Sequence, residues 1–600
     1  MVRIAVIDRD RCKPKECDQP CIRFCPPVRS RIEAIRFEEG EDKPTIVESL
    51  CTGCGICVKK CPFRCITVVN LPEELEGECS HRYGPNMFKL YRLPTPQRGI
   101  ITGLIGRNGT GKSTALKILA GELKPNLGRY ESPPNWTEVI RQYRGSILQD
   151  YFGRLSQGRL KVIHKPQYVD AIPKKIKGKV SSILERSDDR KVLDKVSREL
   201  QIQNILGREI GVLSGGELQA VSIAAAVSRE ADVYLFDEPS SHLDISQRIR
   251  AAKTIRSLVD EEKTVILAEH DLAMLDYLSD QVCVLYGEAG VYGIVSHSHG
   301  VRVGVNIFLD GFIPDENMRF RSEAIRFHVR PPREAPPAHL WKIEWDAMEK
   351  RFRGFSLRVE PGDIRRGEVV GIMGPNGIGK TTFIKLLAGL EKPDKGLAPS
   401  LSGFSISYKP QYISAEYEGP VNSLLLSIAG ERFESNYFQE EVIRRLSLEA
   451  FLERDVRDLS GGELQRVAVA ACLAKKAQLY LLDEPSAYLD VEERLSVARA
   501  VRKAVEDSEA FAYVVEHDIA IQDFMADRLM IFSGRPGTKG MATSPSSLRD
   551  GMNKFLQEMD TTFRRDPETG RPRVNKLGSK TDRIQKEAGE YYYVPSGAKD

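Results

Sequence analysis

Two stretches carry residues able to hold a nucleoside triphosphate. Gly106–Thr114 reads GRNGTGKST and Gly374–Thr382 reads GPNGIGKTT, both G-x4-G-K-[ST]. Glycines at this spacing let backbone N–H groups curl round phosphates, and the helix that follows presents its positive end to them. Lys112 and Lys380 then reach the β- and γ-phosphates, and the Ser113 and Thr381 hydroxyls suit Mg²⁺. The expected nucleotide-binding set is Gly106, Asn108, Gly109, Gly111, Lys112, Ser113 and Thr114, with Gly374, Asn376, Gly377, Gly379, Lys380, Thr381 and Thr382. The bland alternative is a glycine turn between strand and helix; two occurrences of so constrained a motif disfavour it.

Thiolates are the second chemical feature. Ten of twelve cysteines fall before residue 80. Cys51-x2-Cys54-x2-Cys57-x3-Cys61-Pro62 has the bacterial ferredoxin spacing for 4Fe–4S ligation, and Cys12-x4-Cys17-x3-Cys21-x3-Cys25-Pro26 is the same pattern with stretched loops. In such pairs the fourth cysteine crosses over. One cluster is therefore expected on Cys51, Cys54, Cys57 and Cys25, the other on Cys12, Cys17, Cys21 and Cys61. Zinc also takes thiolates, but paired zinc ribbons show two separated C-x2-C halves rather than four cysteines in a run. Cys65, Cys79, Cys283 and Cys472 fall outside the pattern and read as ordinary thiols.

The elements that must position these groups follow from the surrounding pattern. Each phosphate loop follows an apolar run, Ile100–Ile105 or Val369–Met373, and helical periodicity resumes at Ala115–Ala120. The runs VYLFDE (Val233–Glu238) and LYLLDE (Leu479–Glu484) read as strands ending in acidic pairs. There Asp237 or Asp483 sits beside Mg²⁺, and Glu238 or Glu484 polarises the attacking water. His270 and His517 follow further apolar runs, placed to hydrogen-bond the γ-phosphate. LSGGE at Leu213–Glu217 and Leu459–Glu463 opens a helix at a Gly-rich turn, a second anion-binding N-terminus. With 600 residues the chain holds several domains. Its 88 basic and 84 acidic residues leave no global nucleic-acid signature. No apolar stretch approaches a membrane span and the N-terminus lacks a signal-peptide core, so a cytoplasmic protein without a membrane is expected, the nucleus left open.

The motifs recur in one order. KPQY (Lys165–Tyr168), LSGGE, the acidic pair, SSHLD (Ser240–Asp244) and His270 are repeated as KPQY (Lys409–Tyr412), LSGGE, the acidic pair, SAYLD (Ser486–Asp490) and His517. Ser214 to Asp237 and Ser460 to Asp483 are both 23 residues; Asp237 to His270 is 33 and Asp483 to His517 is 34. This is an internal duplication, and its motifs resemble those of the ATP-binding cassette family over nearly all of both units. The resemblance implies catalytic roles for Glu238, Glu484, His270 and His517, and Mg²⁺ held by Ser113, Gln167 and Asp237, and by Thr381, Gln411 and Asp483. It also implies nucleotide contacts from Gln167 and Gln411, from Ser214, Gly215 and Gly216 with Ser460, Gly461 and Gly462, and from Asp244 and Asp490. Each ATP would be sandwiched between halves, Lys112 facing Ser460 and Lys380 facing Ser214. Tyr83, with Phe88 nearby, is the adenine-stacking candidate of the first unit; Trp345, Phe352 and Phe355 compete in the second. The halves differ after LSGGELQ (Ala220 against Arg466) and in the SSHLD loop (His242 against Tyr488).

From lysine to KPQY glutamine is 55 residues in the first unit and 31 in the second. The surplus contains two amphipathic faces, Trp136/Val139/Ile140/Tyr143 and Ile147/Leu148/Tyr151/Phe152/Leu155, separated by Gly145. It reads as a helix–loop–helix, either a docking element or decoration packed on its own cassette. Residues 300–337 and 541–600 are the remaining connectors. Thr561–Arg583 has seven basic and three acidic residues, suggesting straps whose free arginines contact RNA phosphates.

Two cassettes and a double ferredoxin-like head in one chain resemble the E-type ATP-binding cassette proteins, also called the RNase L inhibitor family. The likeness includes NIFLDGFIPDENMRFR (Asn306–Arg321) and FRRDPETGRPRVNKL (Phe563–Leu577). It implies an α/β fold of two tandem cassettes with an N-terminal iron–sulfur domain and hinge segments. The domains expected are 1–78 (ferredoxin-like), 79–299 (first cassette, insertion about 136–160), 300–337 (hinge), 338–540 (second cassette) and 541–600 (second hinge and C-terminal segment). It further implies a Mg²⁺-dependent ATPase with two 4Fe–4S clusters, a monomer with an intramolecular cassette dimer. The activity implied is the splitting of terminated or stalled ribosomes with a class-one release factor or Pelota. The small ribosomal subunit (rRNA and protein) and initiation factors are the other implied partners. The rival reading is an ATP-dependent redox or assembly factor using the clusters for electron transfer.

Overall fold

The computed structural model describes residues 2–9, 11–38, 40–71, 73–327, 342–397, 403–411, 415 and 417–592. Tyr412 of the second KPQY, the Pro-rich exit of the first connector at 328–341, and 593–600 lie outside the described residues. The chain forms two compact units: 1–239 with 253–270 and 278–324, and 325–600 with 240–252 and 271–277. No helix among the described residues is long and apolar enough to cross a membrane.

Among the described residues each unit is built on one large sheet, and the two sheets share a strand order. In the first, the strand before the phosphate loop (Ile101–Gly106) lies between Thr264–Ala268 and Gln281–Glu288; next to Thr264–Ala268 comes Val233–Asp237, then Val162–Lys165. In the second, Val369–Met373 lies between Phe511–Val515 and Arg528–Arg535, followed by Leu479–Asp483 and Ile406–Lys409. These central strands are parallel. The inner strands are largely apolar and covered on both faces, every residue of Val233–Asp237 and Leu479–Asp483 being buried. The last long strand of the second sheet ends at Ala542, just past the expected boundary at 540.

The surplus of the first cassette forms helices Trp136–Gln142 and Ile147–Ser156, with Gly145 at φ +80° between them. Asn135 and Glu138 make a reciprocal cap at the entry. Val139, Leu148, Tyr151 and Phe152 enter the core of the cassette. Tyr151 donates its hydroxyl to the Leu119 carbonyl (2.6 Å) and Tyr143 to Ser80 Oγ (2.9 Å). The insertion therefore packs on its own cassette. Ile147, expected on the apolar face, is instead 49% exposed.

Among its described residues the head has two antiparallel strand pairs, Val2–Ile7 with Ile66–Leu71 and Ile35–Phe37 with Pro44–Ile46, plus three α-helices of four or five residues. Within the first unit it is fastened to the cassette by Asn86, which accepts the Ile7 N–H (2.6 Å) and donates to the Ala5 and Ile46 carbonyls. Glu48 pairs with Arg82 (2.8 Å) and Lys89 (2.7 Å). Ile4, Val6 and Val69 meet Val291 and Tyr292 in a small apolar seam.

The connectors correct the expectation of free arginines. Helix Val301–Asp310 buries Val305, Ile307, Phe308 and Leu309, and Arg321 donates to the Phe308 and Leu309 carbonyls (2.6 and 3.0 Å). After helix Leu548–Glu558, Phe563–Arg565 pairs with Pro572–Val574. Arg565 binds Asp523 (2.6 Å), and Arg571 and Arg573 both bind Asp276, with Asp566 behind Arg573. Arg571 and Asp276 are fully buried. A buried guanidinium requires carboxylates around it, so this part of the basic run is interior wiring rather than a phosphate-binding face.

Arg571→Ala strands the Asp276 charge and is expected to cost about 3–5 kcal/mol. The calorimetric transition of the second unit should fall by roughly 10 °C.

Candidate functional site

Two centres are assembled alike, each within its own unit. At the first, Gly109 (φ +76°) and Gly111 (φ +97°) wind the loop round the Lys112 side chain, whose Nζ donates to the Gly106 and Arg107 carbonyls (2.8 and 2.9 Å). At the second, Lys380 Nζ donates to the Gly374 and Pro375 carbonyls (2.9 and 2.8 Å). A Cβ on Gly111 would lie 2.8 Å from Phe88, and one on Gly379 would lie 3.0 Å from Phe355, so each loop needs glycine to close over an aromatic ring. Thr381 Oγ1 donates to Asp483 Oδ2 (2.7 Å). Burial raises the pKa of Asp237 and Asp483, with the Ser113 and Thr381 hydroxyls opposing. The Oδ1 atoms of both aspartates are buried with no protein partner among the described residues. A lone carboxylate oxygen beside a hydroxyl at a phosphate loop is a donor set that fits Mg²⁺.

The neighbouring glutamates stand in left-handed backbone, Glu238 at φ 45° and Glu484 at φ 48°, a conformation that costs a side-chain-bearing residue about 1–3 kcal/mol. Gln167 donates to Glu238 Oε1 (2.7 Å) and Gln411 to Glu484 Oε1 (2.9 Å). His270 Nε2 lies 3.5 Å from Glu238 Oε1 and His517 Nε2 lies 3.2 Å from Glu484 Oε1. Burial works against the Glu484 charge, yet the His517 hydrogen bond, with the His517 and Lys380 charges and Gln411, holds its pKa at about 2. Its carboxylate is therefore ionised at neutral pH.

Ser214 and Ser460 cap the signature helices Gly215–Ser228 and Gly461–Ala474, in reciprocal bonds with Glu217 and Glu463. Gly215, Gly216, Gly461 and Gly462 form the accessible first turns. Asp244 packs in the second unit, where its Oδ2 accepts the Asn376 N–H (2.9 Å). Asp490 caps helix Val491–Ser508. His242 and Tyr488, both at φ 64°, meet edge to face with ring centroids 5.9 Å apart. Arg466 bonds the Leu446 carbonyl (3.0 Å), pairs with Glu493 (3.4 Å) and covers the Phe451 ring; Ala220 at the equivalent position makes no such bonds.

The head gathers its thiols into two groups. Cys25, Cys51, Cys54 and Cys57 line one cavity with Ala5, Ala34, Ile35 and Ile46. Burial pushes the Cys57 thiol up to about 11, and nearby Cys51, Cys54 and Cys25 add to it. Burial likewise pushes Cys21 up to about 12, with Cys12, Cys61 and Cys17 as its thiol neighbours. Four thiolates converging in an apolar shell are unstable without cations to absorb their charge, which fits iron–sulfur ligation.

The family model described as ABC transporter matches residues 95–241 and 361–487. That for a possible Fer4-like domain in RNase L inhibitor matches 2–33, and that for a 4Fe–4S binding domain matches 44–67. Translation initiation factor RLI1 of Saccharomyces cerevisiae is 46% identical over 602 residues, covering 99% of this chain and 98% of its own. The chain belongs to the RNase L inhibitor family of ATP-binding cassette proteins. A family member in a model of ribosome-bound archaeal Pelota and ABCE1 is 52% identical, with a TM-score of 0.91 over 99% of both chains. The archaeal ribosome recycling factor crystallised with ribosomal stalk protein aP1 is also 52% identical, with a TM-score of 0.83 over 87% of this chain and 100% of that one. Like its family, the chain is an ATPase carrying iron–sulfur chemistry.

Within this RNase L inhibitor family chain, the aromatic candidates separate by burial. Trp345 is a core residue against Phe383 and Tyr513, its indole N–H given to the Glu360 carbonyl (3.0 Å). Phe355 lies beneath the second loop as Phe88 lies beneath the first. Phe352 and Tyr83 are both 44% exposed, each one hairpin turn before the ring under the loop.

Sequence reasoning passed over four residues. Lys165 Nζ donates to the Asp237 and Glu238 carbonyls (2.9 and 3.3 Å), and Lys409 does the same to Asp483 and Glu484 (2.8 and 3.1 Å). Gln219 donates to the Glu238 and Pro239 carbonyls and Gln465 to that of Glu484. Burial lowers both lysines to about 8. Their repetition in KPQY and LSGGELQ was the available signal. Lys165→Met with Lys409→Met should free the left-handed glutamates and lower kcat by about 10–100-fold. Nucleotide affinity, measured by fluorescent ADP titration, should stay unchanged. Loss of nucleotide binding instead would assign the amines to the phosphates.

Proposed function

We propose that the chain splits ribosomes into subunits in the cytoplasm by ATP-driven closure of its two cassettes, with Pelota or a class-one release factor, and stays on the small subunit into initiation. What carries this reading is the pair of complete hydrolytic centres and the cysteine-bearing head in one chain, matched end to end by the family member placed on the ribosome with Pelota. The complex of the archaeal recycling factor with a stalk protein supports the same setting.

Each ATP is bound by one phosphate loop, Gly106–Thr114 or Gly374–Thr382, and the family resemblance implies that the signature serine of the other cassette covers it, Ser460 for Lys112 and Ser214 for Lys380. Tyr83 and Phe352 stack the adenines. Glu238 and Glu484 are the general bases: each carboxylate orients a water and draws its proton, while Gln167 or Gln411 and His270 or His517 hold the carboxylate in place. Ser113, Asp237 and Gln167, and likewise Thr381, Asp483 and Gln411, would hold Mg²⁺, which would supply positive charge to offset that of the phosphates. Asp244, on the Asn376 amide, ties the SSHLD turn to the second loop and so couples its position to nucleotide there. The eight cysteines hold two 4Fe–4S clusters as the quartets Cys12, Cys17, Cys21, Cys61 and Cys25, Cys51, Cys54, Cys57.

Glu238→Gln with Glu484→Gln keeps size and hydrogen bonding but removes the base. Turnover should cease while the closed state accumulates, holding the protein on the small subunit in ATP. Lys112→Ala with Lys380→Ala should prevent docking. Co-sedimentation with subunits distinguishes them; a double-glutamine protein that leaves the subunit as readily as the lysine mutant would overturn closure as the holding step. Anaerobically purified protein should contain about eight irons per chain.

A further inference from the structure

Cys65 lies outside both quartets but not away from them. Its Sγ is 3.3 Å from Cys61 Sγ, and its thiol is also within hydrogen-bonding reach of Cys12. It is 3% exposed and belongs to the core that contains Cys12, Cys21 and Cys57. Its backbone is anchored: Arg64 turns at φ 48°, the Cys65 carbonyl accepts the Asp8 N–H (2.7 Å), and the strand Ile66–Leu71 begins at the next residue. The thiol is thereby held beside two expected ligands of one cluster. The turn Cys61–Cys65 presents two sulfurs to the same corner of that site, whereas one suffices.

We propose that Cys65 is a spare ligand for the cluster of Cys12, Cys17, Cys21 and Cys61, poised to take the place of Cys61 on its iron; the inference rests on the two-cluster reading above. In the exchange the iron–sulfur bond to Cys61 breaks and one to Cys65 forms. The Cys65 thiol proton passes to the departing Cys61 thiolate, so charge and the iron oxidation states are unchanged. The 3.3 Å separation allows the proton to move directly between the sulfurs. With Cys61 in place, Cys65 serves as a thiol donor toward that ligand sulfur, a contact of the kind that tunes cluster potential.

The test uses the full chain purified without oxygen, reading iron and acid-labile sulfide per chain and the electron paramagnetic resonance of the oxidised protein. Wild type should hold about eight irons with no three-iron signal. Cys61→Ala, and Cys61→Ser as the closer match in volume, should do the same. Cys61→Ala with Cys65→Ala should lose at least one iron and show a three-iron signal or lose the cluster. Cys65→Ala alone should keep both clusters and shift the midpoint potential of one. If both Cys61 single variants lose iron to the extent of the double variant while Cys65→Ala loads fully, Cys65 is not a ligand in reserve. A wild-type protein with stoichiometric zinc and no labile sulfide would instead overturn the two-cluster reading itself.

Discussion

Each hydrolytic centre depends on a glutamate held in a backbone conformation it does not favour. Glu238 and Glu484 end their strands in the left-handed region, which turns the carboxylate out of the sheet while the preceding aspartate still points from the strand end. The turn persists because its carbonyl groups are over-determined. A buried lysine spans the carbonyls of the aspartate and glutamate, and a signature-helix glutamine binds the glutamate carbonyl from the other side. Signature helix, acidic strand and KPQY strand therefore meet at one peptide group. A shift of the signature helix is felt at the glutamate turn through the hydrogen bonds of Gln219 or Gln465.

Charge burial is the second recurring device. In the second unit Arg248 pairs with Asp271 (2.7 Å) and Arg494 with Asp518 (3.1 Å), and burial first, then Asp271, raise Asp518. Arg571, Arg573, Asp276 and Asp566 form a second enclosed group. Such networks are weak evidence of net stability, since desolvation offsets much of the attraction. They are geometrically demanding, however, and breaking one partner is costly, so they suit segments that must keep one arrangement.

The head follows a different rule. It is small and its helices have four or five residues, so apolar burial alone gives it little stability. Its core is largely sulfur: Cys12, Cys21, Cys57 and Cys65 are buried together with Ala5, Ile7, Ile35, Ile46 and Ile66. The docking of this head on the first cassette is mostly polar, through Asn86 and Glu48, with only a small apolar seam.

Local chemistry was legible in the chain because it is local. A phosphate loop needs its glycines and lysine within nine residues, an acidic strand reads as an apolar run, and ferredoxin ligands sit a few residues apart. Those spacings determined the cassettes, their duplication, the ferredoxin-like head and the helical insertion. Tertiary structure decided whatever depended on residues distant in sequence. The basic run Thr561–Arg583 reads as a strap with free arginines, yet Arg571 and Arg573 are buried because Asp276, almost three hundred residues earlier, awaits them. Trp345, Phe352 and Phe355 are interchangeable as letters; only the packing of Trp345 on Phe383 and of Phe355 on Gly379 leaves Phe352 exposed. Lys165 and Gln219 were visible in repeated motifs, but their targets are backbone carbonyls, which have no letter in a sequence. Cys65 read as an ordinary thiol because ligand spacing is counted along the chain, whereas a cluster is built from sulfurs that converge in space.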